Sequence, residues 1–73
     1  MSADQPLPVL SVVRLRRGVP DDGIAPGSLG TVLDVYYEPY LAYEVEVSNE
    51  RGETLFTGAI PATDVELAGP LSE

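Results

Sequence analysis

The chain has 73 residues with no cysteine, histidine or lysine, and twelve acidic residues against four arginines give it a formal net charge of −8. At this length folding buries only about 60% of the extended chain's surface, so one domain is the limit, and without thiols neither a disulfide framework nor a cysteine metal site can supplement the core. The charge also argues against a broad nucleic-acid face, which needs clustered cations to neutralise phosphates.

In chain order, residues 1–8 hold Pro6 and Pro8 and no periodicity, so they are expected to be a flexible leader. They lack the basic-then-apolar order of a secretion signal, and no stretch of the chain approaches the roughly 20 apolar residues of a membrane span. A soluble, cytoplasmic protein without a membrane contact is the expectation. The first predicted strand covers residues 9–16, VLSVVRLR, with Val13 and Leu15 on one face and Val12, Arg14 and Arg16 on the other. RGVPDDGIAPGSLG then places four glycines and two prolines in fourteen residues, a composition that continues neither a helix nor a central strand. A long structured connection is predicted.

The second strand is TVLDVYY, residues 31–37, with Leu33 and Val35 on one face and Val32, Asp34 and Tyr36 on the other. Apolar groups on both faces mark it as central or sharply curved. EPYL is a turn, its backbone preset by Pro39. The clearest alternation follows in AYEVEVS, where Tyr43, Val45 and Val47 oppose Glu44 and Glu46, a period of two with one buried face. NERG supplies Asn49 and Gly52 for a hairpin, and residues 53–59 return as the fourth strand with Leu55, Phe56 and Ile60 available to the core. PATDVEL predicts one turn capped near Thr63 or Asp64 and a last strand over residues 65–67, before a frayed tail at 68–73.

These elements predict an all-β fold: a single domain over residues 9–67, built as a small five-stranded, strongly bent antiparallel sheet that closes into an SH3-like barrel. Closure is expected because an open sheet leaves edge strands ready to pair with other chains.

The chemistry-bearing patterns are few. Gly27 and Gly30 have the spacing of the last two glycines of G-x-G-x-x-G, but a strand follows them where a phosphate site needs a helix N-terminus. A turn at Pro26-Gly27 with Gly27 at positive φ, and a close backbone approach at Gly30, is the reading preferred. Without His or Cys the usual bases, thiolates and soft metal ligands are missing. The adjacent acids Asp21 and Asp22, or Glu44 and Glu46, are read as solvated rather than catalytic, and two loop carboxylates fall short of a calcium site. No catalytic residue, cofactor or metal is therefore expected. Tyr36, Tyr37, Tyr40 and Tyr43 fall within eight residues. Two readings stand: in one, Tyr43 and one of Tyr36 or Tyr37 fill the core with hydroxyls reaching solvent; in the other, Tyr37 and Tyr40 beside Glu38 form an aromatic and acidic contact patch, the composition of many interface hot spots. Arg14 and Arg16 are expected to face outward and pair with Glu44, Glu46 or Glu66 on a neighbouring strand.

The combination of VVRL, VPDDGIAPGSLGTVLDVY, AYEVEV, RGET and ATDVEL, spanning Val9 to Leu67, resembles a family of short bacterial proteins, the domain of unknown function 4926. The resemblance implies a small barrel without established enzymatic activity, often encoded in two-gene modules in which one product neutralises its neighbour. It supplies no catalytic residues.

The functional expectation is a non-enzymatic, acidic protein-binding module, an antitoxin or immunity-type partner of a basic neighbour, with Asp21, Asp22, Tyr37, Glu38, Tyr40, Glu44 and Glu46 as contacts. Two alternatives stand beside it. One is a KOW-like accessory domain touching RNA or a ribonucleoprotein through Arg14, Arg16 and Arg17; the other is a self-associating structural subunit with an exposed Val32 and Tyr36 as its homodimer surface.

Overall fold

The structure, a computed structural model, describes residues 6–68; most of the expected leader and tail, residues 1–5 and 69–73, lies outside them. Five antiparallel strands form one sheet: β1 (Val12–Leu15), β2 (Leu29–Tyr36), β3 (Ala42–Ser48), β4 (Thr54–Pro61) and β5 (Val65–Leu67), in the spatial order β4-β3-β2-β1-β5. Two single turns of 3-10 helix, Pro20–Asp22 and Ala62–Asp64, are the helical pieces among the described residues. The all-β sheet expected from the sequence is thus present. Its closure is not, because β4 and β5 share no ladder and stand as two open edges.

A single sheet with no helical layer has to cover its own apolar face. Val13, Val32 and Val45 are 0% exposed and Leu15 is 1% exposed, which a flat sheet with a wet face could not achieve. Two irregularities bend it. The β2–β3 register shifts between Val32 and Asp34, leaving Leu33 as an extra residue on β2, and the β3–β4 register shifts between Val47 and Ser48, leaving Leu55 extra on β4. Such bulges kink a strand and increase its twist. The long β1–β2 connection then contributes Ile24, buried against the core and held by a two-way backbone bridge to Val19. Tyr43, Val47 and Val65 complete the cluster, with Leu7, Val35, Phe56 and Ile60 packed at its margin. Each fully buried valine or leucine contributes about 1.5–3 kcal/mol relative to exposure.

Several expectations are corrected by this packing. The first strand begins at Val12: Pro8 accepts from the Ser11 amide at 3.1 Å in a turn and Leu10 sits at φ 76, so residues 9–11 leave regular strand geometry, although the Leu10 amide and the Ser11 carbonyl still bond Val32 of β2 at 2.7 and 2.9 Å. The Leu33 bulge interrupts alternation along β2, so Val32 and Val35 both turn inward while Asp34 and Tyr36 face out. Val32 is therefore no part of an exposed homodimer surface. Leu55, expected in the core, is 52% exposed for the same kind of reason, as the bulged residue of β4. Tyr43 fills the core as expected, but neither Tyr36 nor Tyr37 joins it, and the Tyr43 hydroxyl accepts from the Leu7 amide at 2.9 Å. No side chain caps the Ala62–Asp64 turn.

The glycine pair at 27 and 30 behaves as turn and packing. Gly27 has φ 88 in a turn closed by the Ser28 amide on the Ala25 carbonyl, and a Cβ on Gly30 would lie 2.5 Å from Val45 Cγ1. The two sites make different predictions. Gly30→Ala overpacks the centre of the core and is expected to cost about 1–3 kcal/mol. Gly27→Ala meets open space and carries only the positive-φ penalty, about 1–2 kcal/mol. Urea denaturation checks this, with an added expectation that Gly30→Ala perturbs the Val45 methyl resonances and Gly27→Ala does not.

Candidate functional site

The sheet's outer face sorts its charges by strand. At the β1–β5 side, Arg14 on β1 and Arg16 just after it both reach Glu66 on β5, at 3.9 and 3.3 Å, and Arg17 reaches Asp64 of the preceding 3-10 turn at 3.3 Å. Of the three partners expected for the arginines, Glu66 on the neighbouring β5 is the one they meet; Glu44 and Glu46 take no part, because β2 lies between β1 and β3 and keeps the arginines two strands away. In the middle of the sheet Asp34 on β2 pairs in register with Glu44 on β3, and Glu46 follows two residues along the same face, opposite Thr31. Like charges directly opposite each other destabilise a sheet. Among the described residues no arginine approaches these three carboxylates within ion-pair distance.

What holds the acids in place is hydrogen bonding. The Tyr36 hydroxyl donates to Glu44 Oε1 at 2.9 Å, the Thr54 hydroxyl donates to Glu46 Oε2, and Asp34 Oδ1 accepts from the Val35 amide at 2.8 Å. These bonds orient the carboxylates without neutralising them. The three acids also do not converge: among the described residues no group of three or more potential ligands is placed to hold a metal ion, and no pocket is present. A row spread along two strands opposes several separate cationic groups better than it chelates one ion.

At the end of this row, the β2–β3 turn carries Tyr37 and Tyr40, 66% and 59% exposed, and Glu38, which precedes Pro39 through a cis peptide. Leu33, 39% exposed on its bulge, adds apolar surface beside Asp34. Asp21 and Asp22 are exposed on the 3-10 turn of the β1–β2 connection, which enters β2 at Leu29, while the tyrosine turn leaves β2 at Tyr36. The two ends of β2 are roughly 23 Å apart at 3.3 Å per residue. The expected contact set is thus divided: Tyr37, Glu38, Tyr40, Glu44 and Glu46 share one region, and the Asp21–Asp22 pair attaches at the far end of the central strand. Asp34 and Tyr36, absent from that set, stand inside the region. Alternation already placed both on one face of the second strand, but their proximity to Glu44 depends on cross-strand register.

The sequence model of a family described as a domain of unknown function (DUF4926) matches residues 9–67. The chain belongs to that family. No curated protein and no solved structure matches it.

Within the row, Tyr36 holds its proton more tightly than an ordinary tyrosine. The bond to Glu44 raises its pKa above 10.0, with desolvation and the negative charges of Glu44 and Asp34 acting the same way. Because the folded value is the higher one, the associated stability is full below the unfolded pKa and is lost as pH rises through the folded pKa. In an alkaline absorbance titration, the difference between the native protein and Tyr36→Phe is expected to show a phenolate forming above pH 10.0, and Glu44→Gln should move that step back toward 10.0.

Proposed function

We propose that the protein is a non-enzymatic binding module whose acidic row, Asp34, Glu44 and Glu46, docks on a basic surface of another protein. The role is that of an antitoxin or immunity-type partner that neutralises the product of a neighbouring gene. The observation that carries this reading is the uncompensated row itself. Asp34 and Glu44 stand opposite each other at a cost to the free protein, while three arginines of the same chain are spent on Asp64 and Glu66. A cationic partner surface relieves that repulsion on binding and draws the two proteins together faster than neutral surfaces meet.

The exposed rings of Tyr37 and Tyr40 fit the same reading as apolar anchors beside a charged zone. Glu38 extends the negative charge around them, and Asp21 with Asp22 adds a second acidic point at the other end of β2. The pairing of Arg14, Arg16 and Arg17 within the chain leaves the RNA-binding alternative without a free cationic cluster on that edge. The same reading takes the fold as an SH3-like arrangement left open between β4 and β5, supported by the strand order and the 3-10 turn that joins those strands.

The test is capture of partners by the native protein from its own cell extract, followed by identification and measured association of the purified pair. A basic partner is expected, with association that slows steeply as salt rises. The triple variant Asp34→Asn, Glu44→Gln, Glu46→Gln should bind at least tenfold more slowly at low salt while folding as stably as the native chain or more so. Equal association by the triple variant, or recovery of no basic protein, overturns the proposal.

A further inference from the structure

Two segments outside the strands reach the core, and they are held very differently. Ile24 of the β1–β2 connection is 5% exposed and exchanges two backbone hydrogen bonds with Val19, at 2.7 and 3.0 Å. Leu7 packs only at the core's margin, and its amide donates to the Tyr43 hydroxyl at 2.9 Å. The chain between Leu7 and β1 is fastened to β2 at Val32, whose carbonyl accepts from the Leu10 amide and whose amide donates to the Ser11 carbonyl. Val32 lies on β2 and the buried Tyr43 on β3, so residues 7–9 turn away from the β1 line and cross β2 on its core side. The bend is closed by Ser11, whose amide and hydroxyl both donate to the Pro8 carbonyl, at 3.1 and 2.6 Å.

That bend puts Leu10 at φ 76, in the turn position that ordinarily takes glycine because a Cβ there crowds the backbone. For a bulky side chain such a conformation is strained. Leu10 is 70% exposed and Val9 is 51% exposed, so burial of their side chains does little to offset the strain. Strained backbone persists only where its surroundings hold it, and it gathers in segments that switch. Here the hold is the marginal packing of Leu7 and a few hydrogen bonds, the features of a part that opens before the rest.

We infer that residues 7–11 form a strap over the Tyr43 end of the core, which opens as a unit about Leu10 while the strands stay paired. Opening returns Leu10 to extended backbone. Because rotation about φ swings the Leu10 N–H, the bond to the Val32 carbonyl breaks together with the Leu7–Tyr43 and Ser11–Pro8 bonds. The Ser11 carbonyl lies beyond the rotating bond and keeps the Val32 amide. Water then replaces the Leu7 amide on the Tyr43 hydroxyl, and the core margin beneath Leu7 is uncovered.

Native-state hydrogen exchange of the full chain, read amide by amide at low urea concentrations and corrected for intrinsic rates, tests the strap. The amides of Leu7, Leu10 and Ser11 are expected to share one opening that is nearly independent of urea and roughly tenfold or more easier than that of Val45. The Val32 amide should instead follow Val45 through global unfolding. Leu10→Gly relieves the strain of the closed strap and should slow the strap amides about threefold or more. Leu7→Ala removes packing from the core margin and should speed them about fivefold or more. Strap amides that exchange as a free chain, strap amides that follow Val45 with its urea dependence, a Val32 amide that opens with the strap, or a Leu10→Gly variant whose strap amides exchange as fast as the native chain's each overturn the inference.

Discussion

One constraint governs this molecule: a single antiparallel sheet must bury one of its own faces with no helical layer among the described residues to cover it. The solution is local. Bulges at Leu33 and Leu55 bend β2 and β4, and the β1–β2 connection turns Ile24 inward across the concave side. Gly30 permits the close contact with Val45 that this curvature demands. The outcome is a core of β-branched side chains around Tyr43, whose hydroxyl finds its hydrogen-bond partner in the Leu7 amide. Every polar side-chain atom buried among the described residues has a partner, which a core this small needs when each unsatisfied group costs about 1–3 kcal/mol.

The same curvature explains the electrostatics of the convex face. Strand order fixes which charges can meet, and β2 separates the arginines of β1 from the glutamates of β3. The arginines turn instead to Glu66 and Asp64 at the β5 side, in exposed pairs worth about 0–1 kcal/mol each. The centre of the sheet keeps three carboxylates that are oriented by hydroxyl and amide donors but not neutralised. Such an arrangement contributes little to the fold and much to the field outside it, and it is the physical ground on which a cationic partner is proposed.

The legible parts of the fold were those encoded by local pattern. The period of two in AYEVEVS identified the buried face of β3 residue by residue, and Val13 and Leu15 were placed correctly by the same means. The Pro26-Gly27 turn and the Asn49–Gly52 hairpin followed from φ preferences. The bulge in β2 is not legible in the sequence, because an inserted residue leaves no mark in alternation when its neighbours are apolar on both faces, as Val32, Leu33 and Val35 are. That single slip hid the burial of Val32. The site was legible in part: Glu44 and Glu46 read as an outer face, and Tyr37 and Tyr40 as exposed rings.

By itself the sequence determined an all-β chain of five short strands with an acidic surface, since alternation, turn residues and net charge are properties of neighbours along the chain. Tertiary structure alone decided that the sheet stays open, that Asp34 and Tyr36 join Glu44 in one row, and that Asp21 and Asp22 stand apart from it. Those outcomes depend on register and strand order, which set contacts between residues far apart in sequence and therefore leave no local signature.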